Sequence, residues 1–235
     1  DAVAAFMFPL LWKAAERFKD HASPEIREEF NQFRRERAAW LEDYGLFMAL
    51  RDVNDQKPWP EWDYGLAHRD PDTLNIARVD LAKDIFYHEY MQFEFFRQRR
   101  DLKSYAYEKG IQIVGDMPMY PSQMAGVPPE FYSADGQLWG NPTYNWEVVQ
   151  EEGFSWWLLR IQSLLEYVDL MRIDHFRGFE AFWAVPEGSE NALSGEWVKA
   201  PGYEFFDTVE EKLGKLPFLA EDLGLIAQPV HALRE

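Results

Sequence analysis

Apolar and polar residues alternate in the first third of the chain with the three-to-four spacing of amphipathic helices. Ser23 followed by Pro24 is typical of a helix start, because the hydroxyl caps the first turn and proline lacks an N–H that has no helical partner there. The periodicity continues to about Ala49 and returns over about residues 77–110. Residues 57–62 (KPWPEW) break the period, so we expect two helical stretches joined by a loop.

The pattern changes after a Lys-Gly pair that is typical of a helix end. Three short runs rich in β-forming residues follow, at residues 111–117, 168–173 and 218–220, and helical stretches separate them. Strands that alternate with helices pair in parallel, so this region predicts an α/β fold. We therefore expect a mainly helical subdomain over residues 1–108 and a sheet-containing domain over residues 109–235.

Acidic residues mark the end of each β-rich run: Asp116 in the first, Asp174 after the second, and Glu221 with Asp222 after the third. In α/β folds the chemistry lies at the carboxyl ends of the strands. Arg172 precedes Asp174 by two positions, so both side chains project from one face of a strand, where an arginine can hold a carboxylate ionised. Two neighbouring carboxylates suit retaining glycoside chemistry, and a structural salt bridge is the alternative.

Composition excludes several classes of function. The chain has 41 acidic and 24 basic residues, a formal charge of −17, and would repel a phosphate backbone, so no nucleic acid is expected as a partner. No apolar run approaches the ~18 residues of a membrane span, and no membrane partner is expected. The absence of cysteine excludes disulfides and a cysteine nucleophile, and it fits a reducing compartment.

Cofactor motifs are also missing from the sequence. No glycine-rich phosphate loop follows a predicted strand and no histidine pair has zinc-ligand spacing, so we expect neither a cofactor nor a metal. The scattered histidines, His21, His68, His88 and His231, are expected at the surface or at helix caps. Aromatic residues make up 17% of the chain, and their rings fill cores or stack on sugars.

Four motifs resemble those of the 4-α-glucanotransferases, the amylomaltase or disproportionating-enzyme family, and the likeness covers nearly the whole chain. They are residues 126–129 (GVPP), 136–142 (GQLWGNP), 171–179 (MRIDHFRGF) and 220–224 (AEDLG). The resemblance implies a (β/α)₈ TIM-barrel glycosidase fold with a helical insertion. It also implies retaining transfer of α-1,4-glucan segments, from maltooligosaccharides, starch or glycogen, through a covalent glucosyl-enzyme intermediate. The resemblance implies that the enzyme is located in the cytoplasm, or in the plastid stroma if it comes from a plant.

The resemblance also implies roles for individual residues. Asp174 matches the family's nucleophile and Glu221 matches its acid/base. The active-site neighbours that it implies are Arg172, Asp116, His175 and Asp222. The substrate-binding residues that it implies are Trp139, Phe131, Tyr132 and Asn141.

Departures from the family pattern predict an incomplete barrel. The family's third acid follows a histidine, and no histidine here precedes an aspartate. Only five residues separate Tyr120 from Gly126, where the family has a much longer stretch, and the chain starts at Asp1 rather than methionine. We expect missing segments or companion chains to complete the barrel. A non-catalytic glucan-binding or structural fragment, and a retaining α-glucan hydrolase, remain the alternative functions.

Overall fold

The computed structural model describes residues 2–119, 125–128, 135–138, 143–186, 188–215, 217–221 and 228–234. The chain divides into two compact units, Asp1–Asp101 and Leu102–Glu235, called here the helical unit and the sheet unit. None of the helices within the described ranges is long and apolar enough to cross a bilayer.

The helical unit consists of helices joined by short turns. They are α1 (Ala2–His21), α2 (Pro24–Glu36), α3 (Ala38–Val53), α4 (Tyr64–Ala67), α5 (Pro71–Asp80) and α6 (Ala82–Glu108), the last of which continues past residue 101. The expected N-cap is confirmed, because the Ser23 hydroxyl accepts a hydrogen bond from the N–H of Ile26. The expected loop contains a single 3-10 turn, Trp59–Glu61.

Two breaks interrupt the stretches that periodicity predicted as continuous. Arg37 separates α2 from α3, and Leu81 separates α5 from α6. Arg37 places its guanidinium over the rings of Phe33 and Phe96, at 5.9 and 5.6 Å from their centroids. Neither break contains glycine or proline, so the sequence carries no local signal for them.

Aromatic rings dominate the core of the helical unit. Phe30 is 3% exposed and packs edge-on against Phe86 and Phe93, with centroids 5.5 and 5.4 Å apart. The expectation that His88 lies at the surface or at a helix cap is wrong, because this ring is buried and bonds Asp52 Oδ2 at 2.8 Å. Its position on α6 points it inward, and Asp52 satisfies the ring nitrogen there.

The sheet unit contains seven strands and four further helices within the described residues. The strands are β1 (Val114–Pro118), β2 (Ala125–Val127), β3 (Gln137–Leu138), β4 (Leu170–Asp174), β5 (Ala181–Ala184), β6 (Glu196–Lys199) and β7 (Phe218–Ala220). The helices are α7 (Trp146–Glu151), α8 (Ser155–Leu165), α9 (Gly202–Leu213) and α10 (Gln228–Arg234).

Three of these strands form a parallel sheet in the order β1-β4-β7, which confirms the predicted parallel pairing. Gly115 on β1 has no room for a side chain, since a Cβ there would lie 2.6 Å from Val168 Cγ1. A second, antiparallel sheet in the order β3-β2-β5-β6 was not predicted. Its strands have two to four residues, too few for an alternating pattern to be recognised.

The parallel sheet packs one face on an apolar core. Met171 and Ile173 of β4 are fully buried, and Trp157, Phe179 and Phe205 lie in the same cluster. Arg172 and Asp174 alternate with them and project from the opposite face of β4. One strand therefore anchors the core on one side and carries charged groups on the other.

Candidate active site

Arg172 bonds three carboxylates at the end of the parallel sheet. Its Nε and Nη2 donate to the two oxygens of Asp116 at 2.8 and 3.0 Å. Nη2 also donates to Asp174 Oδ1 at 2.9 Å, and Nη1 donates to Glu221 Oε1 at 3.2 Å. We call these four side chains the strand-end cluster.

The register of the strands builds this cluster. Asp116 on β1 lies opposite Arg172 on β4, and Ala220 on β7 lies opposite Ile173. Glu221 follows directly, and its N–H donates to the carbonyl of Ile173 at 3.0 Å. Residues from three strands, distant in sequence, thus meet around one guanidinium.

Glu221 has a second donor in the backbone of His175. The His175 N–H donates to Glu221 Oε2 at 2.7 Å. His175 has φ 53° and ψ 47°, in the left-handed region that a residue with a side chain rarely adopts. Such strain persists only where the surroundings impose it, and here it accompanies a donor directed at a carboxylate.

Burial and neighbouring charge shift the protonation of the cluster. Burial first, and then the charge of Glu221 and a hydrogen bond from it, raise the pKa of Asp174, while Arg172 opposes them. Burial lowers the pKa of His175 to about 4, so its imidazole is neutral at neutral pH. The hydrogen bond to Asp116 raises the pKa of Arg172, which stays charged.

The cluster carries excess negative charge. Three ionised carboxylates face one guanidinium, which leaves about two negative charges at the strand ends if all are ionised. Fixed negative charge of this kind stabilises a positive charge that develops on a bound group. Asp174 and Glu221 both accept hydrogen bonds from the Arg172 guanidinium, so their carboxyl groups lie around the same group.

Two further residues, which sequence reasoning missed, hold the end of β1. Arg160 Nη2 donates to the carbonyl of Pro118 at 2.6 Å, and the Tyr144 hydroxyl donates to the carbonyl of Met119 at 2.9 Å. The Arg160 guanidinium lies over Trp156 and Trp157, 5.2 and 5.0 Å from their centroids. The only sign of this arrangement in the sequence is that Arg160 follows Trp156 and Trp157 by four and three positions, a spacing that brings side chains together on a helix.

Five residues named from the sequence lie outside the described part of the chain. They are Asp222, Trp139, Phe131, Tyr132 and Asn141. The structure therefore brings together Asp116, Arg172, Asp174, His175 and Glu221 from the candidate set. Among the described residues, no group of three or more histidine, aspartate or glutamate side chains is arranged to hold a metal ion.

Known proteins resemble the chain along nearly its whole length. A family model described as 4-alpha-glucanotransferase matches residues 1–124 and 121–235. The 4-alpha-glucanotransferase of Thermus thermophilus is 44% identical over 98% of this chain and 51% of its own length. That of Aquifex aeolicus is 43% identical over 100% of this chain and 52% of its own length. The chain thus spans about half the length of these curated relatives.

Solved structures show the same likeness in three dimensions. The amylomaltase from Streptococcus agalactiae in complex with acarbose matches 96% of this chain and 50% of its own, with a TM-score of 0.89 and 38% identity. The amylomaltase from Corynebacterium glutamicum matches 94% of this chain with a TM-score of 0.74 and 19% identity, which shows a shared fold.

Proposed function

This chain belongs to the 4-alpha-glucanotransferase family, and from that membership we propose that its protein transfers α-1,4-glucan segments between maltodextrins with retention of configuration. One observation carries the proposal: a single guanidinium, that of Arg172, bonds both Asp174 and Glu221. The two carboxyl groups therefore lie on one side of the sheet around the same guanidinium, and a covalent double displacement needs two carboxyl groups on one site.

The chemistry divides between the two carboxyl groups. Asp174 attacks the anomeric carbon, and Glu221 gives its proton to the leaving glycosidic oxygen. Glu221 then takes the proton of the 4-hydroxyl of a second glucan, whose oxygen displaces Asp174. Two inversions give net retention.

The mechanism requires an ionised Asp174 and a protonated Glu221. Burial and the negative charge of Glu221 raise the pKa of Asp174, and the positive charge of Arg172 lowers it. Arg172 thus favours the ionised form of Asp174 that attack requires. His175 supplies a backbone donor and a neutral ring, so it adds no positive charge near the developing oxocarbenium ion.

The parallel sheet is, in this proposal, part of a (β/α)₈ barrel. Residues 109–235 supply barrel strands with substrate-binding loops, and residues 1–108 form a helical insertion. Segments beyond this chain, or companion chains, add the other strands and a third acid. Glucan-contacting roles for Trp139, Phe131, Tyr132 and Asn141, and support from Asp222, belong to the same proposal.

The setting in this proposal is a reducing compartment such as a cytoplasm or a plastid stroma. The potato relative, a chloroplastic or amyloplastic 4-alpha-glucanotransferase, is 37% identical over 97% of this chain. The absence of cysteine from the chain agrees with such a compartment.

Maltotriose tests the proposed function. The protein that carries this chain should convert it to glucose and longer maltodextrins, resolved by chromatography. Asp174→Asn and Glu221→Gln should each lower the transfer rate by about 10⁴-fold, because each removes a reacting group. Asp207→Asn, at an exposed position on α9, is the control and should keep the wild-type rate.

Three results would contradict the proposal. Glucose and maltose without longer products would indicate a hydrolase. Unchanged maltotriose would indicate a non-catalytic glucan-binding or structural protein. Near-normal transfer by either variant would show that its role is misassigned.

A further inference from the structure

A cavity of about 340 Å³ lies within the helical unit, and its lining includes no residue of the strand-end cluster. We call it the α3–α5 cavity, because α3, the 3-10 turn, α4 and α5 all contribute to its wall. Its volume falls in the range of small-molecule sites. Its aromatic lining residues are Phe47, Trp59 and Trp62, and its charged lining residues are Asp43 and Arg69.

The aromatic wall combines one fixed ring with two accessible ones. Trp62 is 8% exposed, and its indole N–H donates to the carbonyl of Lys57 at 3.0 Å. Phe47 packs on Trp62 with centroids 5.4 Å apart. Trp59 is 54% exposed although it is one of the largest apolar side chains. An accessible indole beside a rigid aromatic floor offers a flat surface to a ligand with an apolar face.

The charged rim carries both signs. Arg69 Nη2 donates to Asp43 Oδ2 at 2.8 Å, and Arg78 lies 3.8 Å from the other oxygen of Asp43. The side chains of Arg69 and Asp43 are 66% and 53% exposed, so both keep donor and acceptor capacity towards solvent. Arg69 has a φ of 57°, a left-handed conformation that costs energy in a residue with a side chain.

These features select a class of ligand. An anion would face Asp43, and a cation would face Arg69, so neither charge suits the rim. A purely apolar ligand would contact the rings and leave the rim charges without new partners. A neutral polyol with an apolar face can contact both the aromatic wall and the charged rim. A pyranose is such a ligand, because it has an apolar face and hydroxyl groups at its edge.

We propose that the α3–α5 cavity is a second carbohydrate site, which holds a glucose unit of an α-glucan by stacking on Trp59 and hydrogen bonding to Asp43 and Arg69. The choice of α-glucan among sugars rests on the proposed function, whereas the cavity and its chemistry do not. The site performs no bond breaking. It anchors a long glucan, and a second attachment point strengthens the binding of chains that reach both sites.

Glycogen binding tests the proposal. Native gels containing glycogen should show retardation of the protein carrying Asp174→Asn, which prevents turnover. Adding Trp59→Ala should weaken the apparent affinity by about fivefold, the size of one lost aromatic contact. Arg69→Gly should also weaken it while permitting the left-handed backbone. Tyr64→Ala, at a position 76% exposed on the same unit and outside the cavity lining, is the control and should bind as strongly as the parent.

Further outcomes separate this proposal from the proposed function. Trp59→Ala in the otherwise unchanged protein should keep the wild-type rate on maltotriose and raise the KM for glycogen. Trp59-dependent glycogen binding in a protein without transferase activity would support the cavity site and overturn the proposed function. Unchanged glycogen binding by both Trp59→Ala and Arg69→Gly would overturn the cavity site alone. Stronger Trp59-dependent binding of a β-glucan than of glycogen would overturn the choice of ligand.

Discussion

Each unit of the molecule contains an arginine that meets buried or half-buried carboxylates, and the two arrangements differ in charge balance. In the helical unit, Arg34 Nε lies 2.9 Å from Glu89 Oε2, and the Glu89 side chain is 3% exposed. One positive charge there neutralises one negative charge. In the sheet unit, Arg172 bonds Asp116, Asp174 and Glu221, whose side chains are 56%, 39% and 19% exposed.

The difference distinguishes a structural ion pair from a chemical one. A buried carboxylate requires a partner to remain ionised, and a single arginine meets that need for Glu89. Three carboxylates around one arginine exceed any structural need and repel one another. A fold retains such repulsion where the excess charge has a use, so the ratio of acids to bases is informative where their mere proximity is not.

Of the changes that compare the two units, removing the arginine of the strand-end cluster should have the largest effect. Arg172→Leu should lower the transfer rate at pH 7 by about 10³-fold, because it removes the group that opposes protonation of Asp174. Asp174 must be ionised to attack, so the acidic limb of the pH–rate profile should move to higher pH. Arg172→Lys keeps the positive charge but lacks the forked guanidinium. Its transfer rate should therefore lie between those of the wild type and Arg172→Leu. An acidic limb at the wild-type pH in Arg172→Leu would refute this role.

The corresponding change in the helical unit should alter stability and leave chemistry unchanged. Arg34→Leu strands the buried Glu89 carboxylate, and we expect the free energy of unfolding in urea to fall by about 1–3 kcal/mol. Arg35→Leu is the matched control, since Arg35 and its partner Glu28 are both largely exposed, and it should cost less than about 1 kcal/mol. Adding Glu89→Gln to Arg34→Leu should recover part of the loss. Equal costs for Arg34→Leu and Arg35→Leu would remove the contrast between the pairs.

The protonation of His175 links stability to pH. Its pKa is about 4 in the folded chain against about 6.5 when unfolded. Between these values only the unfolded chain binds the proton, so lowering the pH from 6.5 to 4 favours unfolding by at most about 1.4 kcal/mol per pH unit. Above pH 6.5 this histidine contributes no pH dependence. Nuclear magnetic resonance should show a flat His175 ring shift from pH 5.5 to 8, and a midpoint near 6.5 would contradict its burial.

The sequence predicted those parts of the structure that local rules determine. The cap at Ser23 and the third strand, Phe218–Ala220, lie where the pattern placed them. The first strand was expected over residues 111–117 and is Val114–Pro118, because strand ends depend on pairing with a neighbour. Spacing also placed Arg172 and Asp174 on one face, since alternation along a strand is a local property.

Other features depend on contacts between segments that are distant in sequence. At the helix break, Arg37 packs on Phe96, which is 59 positions away on α6. The hydrogen bonds of Arg160 and Tyr144 to the end of β1 have no local pattern either. The sequence predicted the loop beside the α3–α5 cavity but not the cavity itself. A break in the hydrophobic periodicity shows where a helix ends, and it does not show what the following loop packs against.

Alternate side chains of the five-residue strand β4 are under two different evolutionary constraints. Met171 and Ile173 face the core, where any change of volume alters thermal stability, while Arg172 and Asp174 face the carboxylates of the neighbouring strands. Relatives adapted to different temperatures can therefore repack the first pair without touching the second. A shift of the strand by a single residue would exchange the two sets and abolish both properties at once.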